Sequence, residues 1–246
     1  LIFPVAQHIG APCTPCVKVG DYVKMGQKIA DSEAFVSAPI HSSVSGTVKA
    51  IKPCPVPNGT MVESIIIEND FTDTPDESMK PIDYKTVNPE DIASYVREAG
   101  TVGMGGATFP THVKLTPPPS AKIDTVIVNG AECEPYITSD HRVMLETPDE
   151  LILGLKIILY RFGIENGHIA IESNKPDAIK LLKEKCSGEG ISVDTLKKKY
   201  PQGSEKHLIY AVTKRTVPAG KLPADVGVVV VNVDTCTEAR RSEERR

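Results

Sequence analysis

Short apolar segments separated by glycine and proline fill the first part of the chain. They lie at 17–23, 26–30, 35–39, 45–51 and 64–68. Segments this short and this closely spaced are typical of the strands of a small barrel or sandwich. We therefore predict an N-terminal β barrel-sandwich domain over residues 1–70, followed by a polar, proline-containing linker over 71–88.

The spacing of the apolar residues changes to a helical period after the linker. Asn88 and Pro89 are typical of a helix start, and Gly100 is typical of a helix end. Ile92 and Val96 supply an apolar face between them. The sequence therefore predicts a helix that begins a second domain.

Apolar runs and helical patterns alternate from there to residue 232. Strands are predicted at 125–128, 168–171, 191–193 and 226–231, and helices at 148–162, 176–186 and 204–212. Thr147 and Glu150 have the spacing of a capping box before the first of these helices, and Gly163 ends it. The alternation predicts an α/β domain over 89–232 with a Rossmann-like parallel sheet, where ligands bind beyond the carboxyl ends of strands.

The last stretch, residues 233–246, is charged and shows no clear apolar pattern. It indicates a disordered tail or a truncated continuation of the chain, with a short terminal helix as the third alternative. We assign no function to it.

Composition and charge exclude several classes of protein. The 246 residues carry a net charge of −4, so bulk attraction to nucleic acid or to an anionic membrane is not expected. No apolar run reaches the roughly 18 residues of a membrane span, and residues 1–12 lack the features of a secretory signal. The composition suits a globular protein that does not itself span a membrane.

Six cysteines are too few for a disulfide scaffold and favour a reducing, cytoplasmic compartment. Cys13 and Cys16 form one C-x-x-C pair, for which redox, metal and iron–sulfur roles stay open beside two incidental thiols in a proline-rich loop. The chain has no C-x-x-C-x-x-C run. We therefore expect no cubane cluster held by this chain alone, and we predict no metal site.

A glycine-rich segment precedes a predicted helix start near residue 111. Gly103, Gly105 and Gly106 allow the backbone to approach a ligand closely and to point N–H groups at it. Lys114 follows one turn into that helix, where its ammonium would lie near a bound phosphate or flavin. The alternatives are a sharp connection between helices and a solvated lysine.

Polar residues cluster where the predicted strand at 125–128 ends. They are Asn129, Glu132, Glu134 and Asp140. Carboxylates do not bind phosphate, but they accept hydrogen bonds from ribitol or ribose hydroxyls and from ring N–H groups, which suits a flavin or an NADH ribose. The alternatives are a polar loop and, for Asp140, an ordinary helix cap.

Two further candidates border predicted elements of the same domain. Glu205 opens a predicted helix, where a carboxylate also compensates the helix dipole. Asn232 follows the last predicted strand, where it can contact a flavin ring or cap the next element.

Two segments carry a resemblance to a known family: GMGGATFPTHVKL at 103–115 and NGAECEP at 129–135. They resemble the RnfC subunit of the Rnf electron-transport complex, an ion-translocating ferredoxin:NAD oxidoreductase. More distantly, they are similar to the flavin- and NADH-binding subunit of respiratory complex I. Segments at 19–30, 171–176, 199–206 and 222–230 agree, so the resemblance covers about residues 4–233 in order.

The resemblance implies that FMN binds at the glycine-rich segment and exchanges a hydride with NAD(H), with electrons passing to or from iron–sulfur clusters and, indirectly, ferredoxin. It implies partner subunits and a peripheral position on the cytoplasmic side of the cell membrane. Family members carry cluster ligands after the last strand, and those ligands are absent from this chain. No side-chain nucleophile is implied, so no catalytic residue is assigned. The implied cofactor-binding residues are Gly103, Gly105, Gly106, Lys114, Asn129, Glu132, Glu134, Asp140, Glu205 and Asn232.

Two other functions compete with the flavin hypothesis. The first is a non-catalytic docking or assembly module of the same complex. The second is a carrier of a swinging cofactor, since the N-terminal domain resembles biotinyl and lipoyl carrier folds. Carriers need a lysine at an exposed hairpin tip, and the segment at 31–35 has none. A docking or structural role is therefore expected for this domain.

Overall fold

The computed structural model describes residues 1–77, 82–104 and 106–244. Gly105, one of the predicted ligand-binding glycines, lies outside the described residues, as do residues 78–81 of the predicted linker. Within these ranges, no helix is both long enough and apolar enough to cross a bilayer.

An antiparallel β domain occupies the N-terminal part, as the spacing of the apolar segments predicts. Its strands are β1 (Ile2–Pro4), β2 (Thr14–Pro15), β3 (Tyr22–Val23), β4 (Lys28–Asp31), β5 (Ile40–His41), β6 (Gly46–Pro55) and β7 (Met61–Asn69). They form one sheet in the order β1-β7-β6-β3 and another in the order β2-β4-β5. Ile29, Val48 and Ile65 belong to its buried core. The barrel-sandwich class is confirmed.

A parallel sheet forms the centre of the second domain. Its strands are β8 (Thr125–Gly130), β9 (Gly167–Glu172), β10 (Ile191–Leu196) and β11 (Val228–Asn232), in the order β10-β9-β8-β11. The chain proceeds from β8 through β9 to β10 on one side and then returns to β11 on the other. The direction of winding therefore reverses between β8 and β11, where the register pairs Asn129 with Asn232. The predicted parallel α/β class is confirmed.

Helices cover both faces of this sheet. They are α1 (Ile92–Glu98), α2 (Thr111–Lys114), α3 (Ser139–Glu146), α4 (Pro148–Phe162), α5 (Pro176–Lys185), α6 (Glu205–Thr213) and α7 (Val233–Glu244). Leu208 of α6 packs in one core cluster with Ile127, and Leu155 of α4 packs in another with Val126 and Val128. Because successive strand residues point to opposite faces, the two clusters lie on the two sides of the sheet.

The N-terminal cap of α4 differs from the prediction. Helix α3 begins inside the polar segment that follows β8, and only Thr147 separates it from α4. The Thr147 hydroxyl therefore donates to Val143 O of α3 at 3.2 Å and makes no side-chain cap on α4. The helix itself and its end at Gly163 are confirmed, but the capping box is wrong.

The C-terminal stretch forms α7, which agrees with the terminal helix among the three alternatives and not with a disordered tail. Val233, Cys236 and Ala239 recur three residues apart, and each is fully buried. A Cβ on Gly154 of α4 would lie 2.0 Å from Cys236 O, so the two helices approach very closely. Because charged and polar residues separate these three, the sequence signal is weak, and packing against α4 stabilises this helix.

Candidate functional site

A cavity of about 410 Å³ lies beyond the carboxyl ends of β8 and β11, where the winding of the sheet reverses. Ligands of open α/β sheets bind at this kind of position. We call it the main cavity. The predicted site residues that line it are Gly103, Gly106, Lys114, Asn129, Glu134, Glu205 and Asn232.

The glycine-rich loop over 103–109 is closed at its base by backbone contacts. Gly103 N donates to Phe109 O at 2.8 Å, and Val102 pairs with Pro110 in an antiparallel bridge. A Cβ on Gly106 would meet no atom within 4 Å, so open space lies beside this residue. The loop therefore leaves room for a ligand to approach its backbone at Gly106.

Lys114 ends the short helix α2 and lines the main cavity. Its Nζ donates to Glu205 Oε1 at 3.0 Å and to Val230 O at 2.9 Å. An ammonium has three N–H donors, and no described residue accepts the third. The protein thus fixes a positive charge beside the glycine-rich loop and leaves one donor for a ligand.

The two strand-end asparagines hold neighbouring backbone segments. Asn129 Nδ2 donates to Gly203 O at 2.8 Å, and its Oδ1 accepts from Ala131 N at 3.1 Å. Asn232 Oδ1 accepts from Asp234 N at 2.9 Å and thereby caps α7. Both asparagines line the cavity while their amide groups are largely occupied by the protein.

Glu132 stabilises the start of α3. Its Oε1 accepts from Asp140 N at 2.8 Å, and its side chain is almost completely buried. The buried Lys175 ammonium donates to Glu132 O at 3.2 Å and lies 3.9 Å from Glu132 Oε2. A carboxylate at a helix N-terminus satisfies backbone N–H groups that have no partner inside the helix.

A second cavity of about 320 Å³ adjoins the main one, and Glu132 and Asp140 line it. The two cavities share Gly106, Asn129, Glu134, Gly203 and Asn232 in their lining. All the predicted site residues in the described part of the chain therefore lie in one continuous region.

Asp140 has an unusual environment for a carboxyl group. Burial raises its pKa, and the nearby carboxylates of Glu132, Asp234 and Glu134 raise it further. Asn232 Nδ2 donates to Asp140 Oδ2 at 2.7 Å and opposes this shift, which leaves the pKa at about 7. Asp140 is therefore partly protonated near neutral pH.

The structure adds residues to the site that the sequence reasoning did not select. Tyr200 and Ser204 line the main cavity from the loop before α6, and Thr235 lines it from α7. Thr235 Oγ1 also accepts from Met104 N at 2.9 Å, which ties the glycine-rich loop to α7. The resemblance at 199–206 pointed to the first two, whereas no sequence signal marked Thr235.

Comparison with known proteins assigns both domains. Residues 96–241 match the family model of the Nuo51 FMN-binding domain. The chain belongs to this family. Residues 1–72 match the RnfC barrel sandwich hybrid domain, which agrees with the arrangement of β1 to β7.

Several relatives are C subunits of ion-translocating complexes. The C subunit of the Na(+)-translocating ferredoxin:NAD(+) oxidoreductase complex of Acetobacterium woodii is 49% identical to this chain over 246 residues. The alignment covers 98% of this chain and 55% of that protein. The C subunit of the proton-translocating ferredoxin:NAD(+) oxidoreductase complex of Clostridium ljungdahlii is also 49% identical to this chain. That alignment covers 100% of this chain and 54% of the relative. The chain thus spans about half the length of these relatives. Together with the two domain matches, they confirm the resemblance to the RnfC subunit.

A solved structure supports the fold. The NAD+-reducing NiFe hydrogenase in its air-oxidized state aligns with a TM-score of 0.54 and 23% identity, over 63% of this chain and 30% of that chain. At this level of identity the likeness concerns the fold alone.

Within the described residues, no group of three or more His, Cys, Asp or Glu side chains is arranged to hold a metal ion.

Proposed function

We propose that this chain binds FMN in the main cavity and exchanges a hydride between FMN and a nicotinamide nucleotide. The observation that carries the proposal is the position of Lys114, whose ammonium lines the cavity together with Gly103 and Gly106. The match to an FMN-binding domain family supports the same ligand.

The donors and acceptors of the main cavity suit FMN. Lys114 and the loop backbone at Gly103 and Gly106 would hold the phosphate, because both supply N–H donors to an anion. Glu134 and Ser204 would hydrogen-bond to ribityl hydroxyls. The cavity volume of about 410 Å³ lies within the range of about 300–1,000 Å³ that is usual for small-molecule sites.

The proposed role of the protein is to bind and orient the reactants. When bound, FMN supplies the conversion between hydride transfer and single-electron transfer. Tyr200 and Phe109 would offer apolar faces to a planar ring. Asp140 would hold a proton in the adjoining cavity, which reduces the negative charge that the acidic side presents to a nucleotide.

We further propose that the chain acts within a larger ferredoxin:NAD oxidoreductase complex. NAD(H) would be its second ligand, other subunits its partners, and ferredoxin an indirect partner through iron–sulfur clusters. The peripheral position would be on the cytoplasmic side of the cell membrane. The names of the relatives support these points, although the chain spans only about half of their length.

Lys114→Met tests the proposed site, because it removes the ammonium and keeps the length of the side chain. FMN affinity should fall about 10- to 100-fold, since a hydrogen bond to a charged group contributes about 1.5–3 kcal/mol. Lys183→Met, on an exposed position of α5, is the matched control and should bind like the wild type. Quenching of flavin fluorescence gives the dissociation constants.

Two results would count against this proposal. Equal FMN affinity in Lys114→Met and in the wild type, with both folded by circular dichroism, would remove Lys114 from the site. A folded wild-type chain that binds no FMN would instead favour the non-catalytic docking or assembly module.

A further inference from the structure

The barrel-sandwich domain contacts the two segments that frame the glycine-rich loop. The contacts come from residues 31–38, which begin at the last residue of β4 and which we call the barrel loop. This is the region in which a carrier domain would display its lysine. Here it lies against the end of α1 and against α2.

An ion-pair network joins the barrel to the end of α1. Arg97 Nη2 donates to Asp31 Oδ1 at 2.8 Å, and the same group donates to Ser32 O. Lys28 Nζ donates to Glu98 Oε2 at 2.6 Å and to Asp31 Oδ2 at 2.9 Å. The network thus contains two positive and two negative side chains that cross the boundary between the domains.

The network is partly shielded from water. Arg97 and Asp31 expose 23% and 24% of their side chains. Burial of the Asp31 carboxyl opposes ionisation, yet hydrogen bonds from Lys28, Ser32 N and Arg97 hold its pKa below the ordinary value. These groups therefore remain charged and paired at neutral pH, and pairs of this kind contribute more than fully exposed ones.

A separate contact holds the other end of the loop. His112 of α2 donates through Nε2 to Phe35 O at 2.8 Å, because a carbonyl oxygen can only accept. The Phe35 ring packs edge-on against the His112 ring at 5.8 Å. Burial lowers the pKa of His112, so its ring is neutral. The barrel loop therefore contacts both segments.

Backbone contacts close the base of the glycine-rich loop between these two contacts. Thr111 N donates to Thr101 O at 3.1 Å, which pairs the incoming and outgoing chain. Gly100 has a φ of +71°, and a Cβ there would lie 2.6 Å from Pro39 O of the barrel. Gly100 therefore lies directly against the residue that follows the barrel loop.

We propose that the barrel loop positions the glycine-rich loop, so that flavin affinity depends on Asp31, Arg97 and His112 although none of them lines the main cavity. The barrel domain thus acts as a support for the ligand site, in place of the carrier role that its fold would allow. The choice of flavin as the ligand rests on the proposed function. The dependence of loop order on these contacts does not.

Arg97→Gln tests this inference on the full chain. Its matched control is Lys49→Gln, which removes an ion pair with Glu68 on the barrel strands β6 and β7. Hydrogen exchange of the amides at 101–111, without flavin, should become about tenfold faster in Arg97→Gln, because loop opening is a local event. Exchange in α4 should stay unchanged, and the control should match the wild type at both places.

The second readout is the dissociation constant for FMN. Arg97→Gln should weaken FMN binding about 5- to 10-fold, because a less ordered loop loses more conformational entropy when FMN binds. Arg97→Lys keeps a positive charge near Asp31 and should recover part of the loss. If Arg97→Gln does not fold, Lys28→Gln replaces it, because Lys28 belongs to the same ion-pair network. His112→Phe removes the separate contact with Phe35 O and should also speed loop exchange and weaken FMN binding.

The two readouts separate this inference from the proposed function. Unchanged exchange at 101–111 in Arg97→Gln and His112→Phe would overturn the positioning role, even where the wild type binds FMN. Faster loop exchange with unchanged FMN affinity would also overturn it. Faster loop exchange in a chain that binds no FMN would support the positioning of the loop and contradict the proposed function.

Discussion

The two sides of the ligand region differ in how far the protein itself occupies their polar groups. On the side of the glycine-rich loop, Lys114 keeps one donor available and open space lies beside Gly106. On the acidic side, Glu132 and Asn232 accept hydrogen bonds from backbone N–H groups of α3 and α7. On the first side polar groups are available to a ligand, whereas on the acidic side these polar groups stabilise the backbone of the protein.

This difference shows that residue type and position after a strand do not distinguish a ligand contact from a scaffold contact. Asn129 and Asn232 lie at the ends of β8 and β11, Glu132 follows β8, and all three satisfy nearby backbone groups. Glu134 lies in the same loop, is exposed, and lines both cavities. The acidic side therefore contains a supporting carboxylate, Glu132, and a carboxylate that is open to a ligand, Glu134.

The largest effect is expected for Glu132→Gln. The change leaves the buried Lys175 ammonium without its carboxylate, which costs about 3 kcal/mol of folding free energy when a buried pair is broken. Chemical denaturation measures this loss. FMN affinity in the folded fraction should change little, since Glu132 supports α3 and lines the second cavity rather than the main one.

Glu134→Gln is the matched control for Glu132→Gln. Its stability should stay within about 0.5 kcal/mol of the wild type, as for most exposed substitutions. Equal destabilisation by the two changes would remove the distinction between supporting and open carboxylates.

Asp140→Asn should produce an intermediate effect that depends on pH. The pKa of Asp140 is raised in the folded protein from an ordinary value of 3.8 to about 7, so the folded state binds this proton more tightly than the unfolded state does. The contribution to stability is fully present below the ordinary pKa and is lost as the pH rises to about 7.

Asparagine cannot ionise and still accepts from Asn232. Asp140→Asn should therefore be more stable than the wild type by about 1–2 kcal/mol at about pH 8, after allowance for solvent screening, and should gain little at about pH 4. Thermal melts at both pH values measure the difference. The control is Asp91→Asn, which changes an exposed carboxylate before α1. An equal gain at both pH values would contradict the raised pKa.

The smallest effect is expected from Glu134→Gln on ligand binding. Its carboxylate is proposed to accept from a ribityl hydroxyl, and glutamine keeps one carbonyl acceptor. FMN affinity should fall about 2- to 10-fold, in line with the net contribution of an ordinary hydrogen bond. Fluorescence titration measures the affinity. If Glu134→Gln lost as much FMN affinity as Lys114→Met, the phosphate contact would lie on the acidic side, which would contradict the proposal.

Much of the fold could be predicted from the sequence because its signals are local. The helix at 148–162 and the buried strand at 125–128 combine strong apolar patterns with clear ends, and both are confirmed. The sequence left helix α7 as only one of three alternatives, because its stability comes from packing against α4 at Gly154. Helix α3 was missed because its sequence is polar and its start is stabilised by the Glu132 carboxylate, which lies outside the helix.

The composition of the candidate site could also be predicted, but its internal bonding could not. Lys114 and Asn129 follow from the motif and from the end of a strand, and both line the main cavity. The contact between Thr235 and Met104 joins residues that are 131 positions apart. No pattern in one sequence shows such a contact, because it depends on how the sheet brings distant segments together.

The central claim is that the glycine-rich loop and Lys114 hold a flavin phosphate, and a crystal structure of the chain with FMN tests it most directly. We predict the phosphate beside Lys114 Nζ and the loop backbone at Gly106, with the sugar-like chain towards Glu134. FMN bound outside the main cavity, or with its phosphate on the acidic side, would contradict the claim.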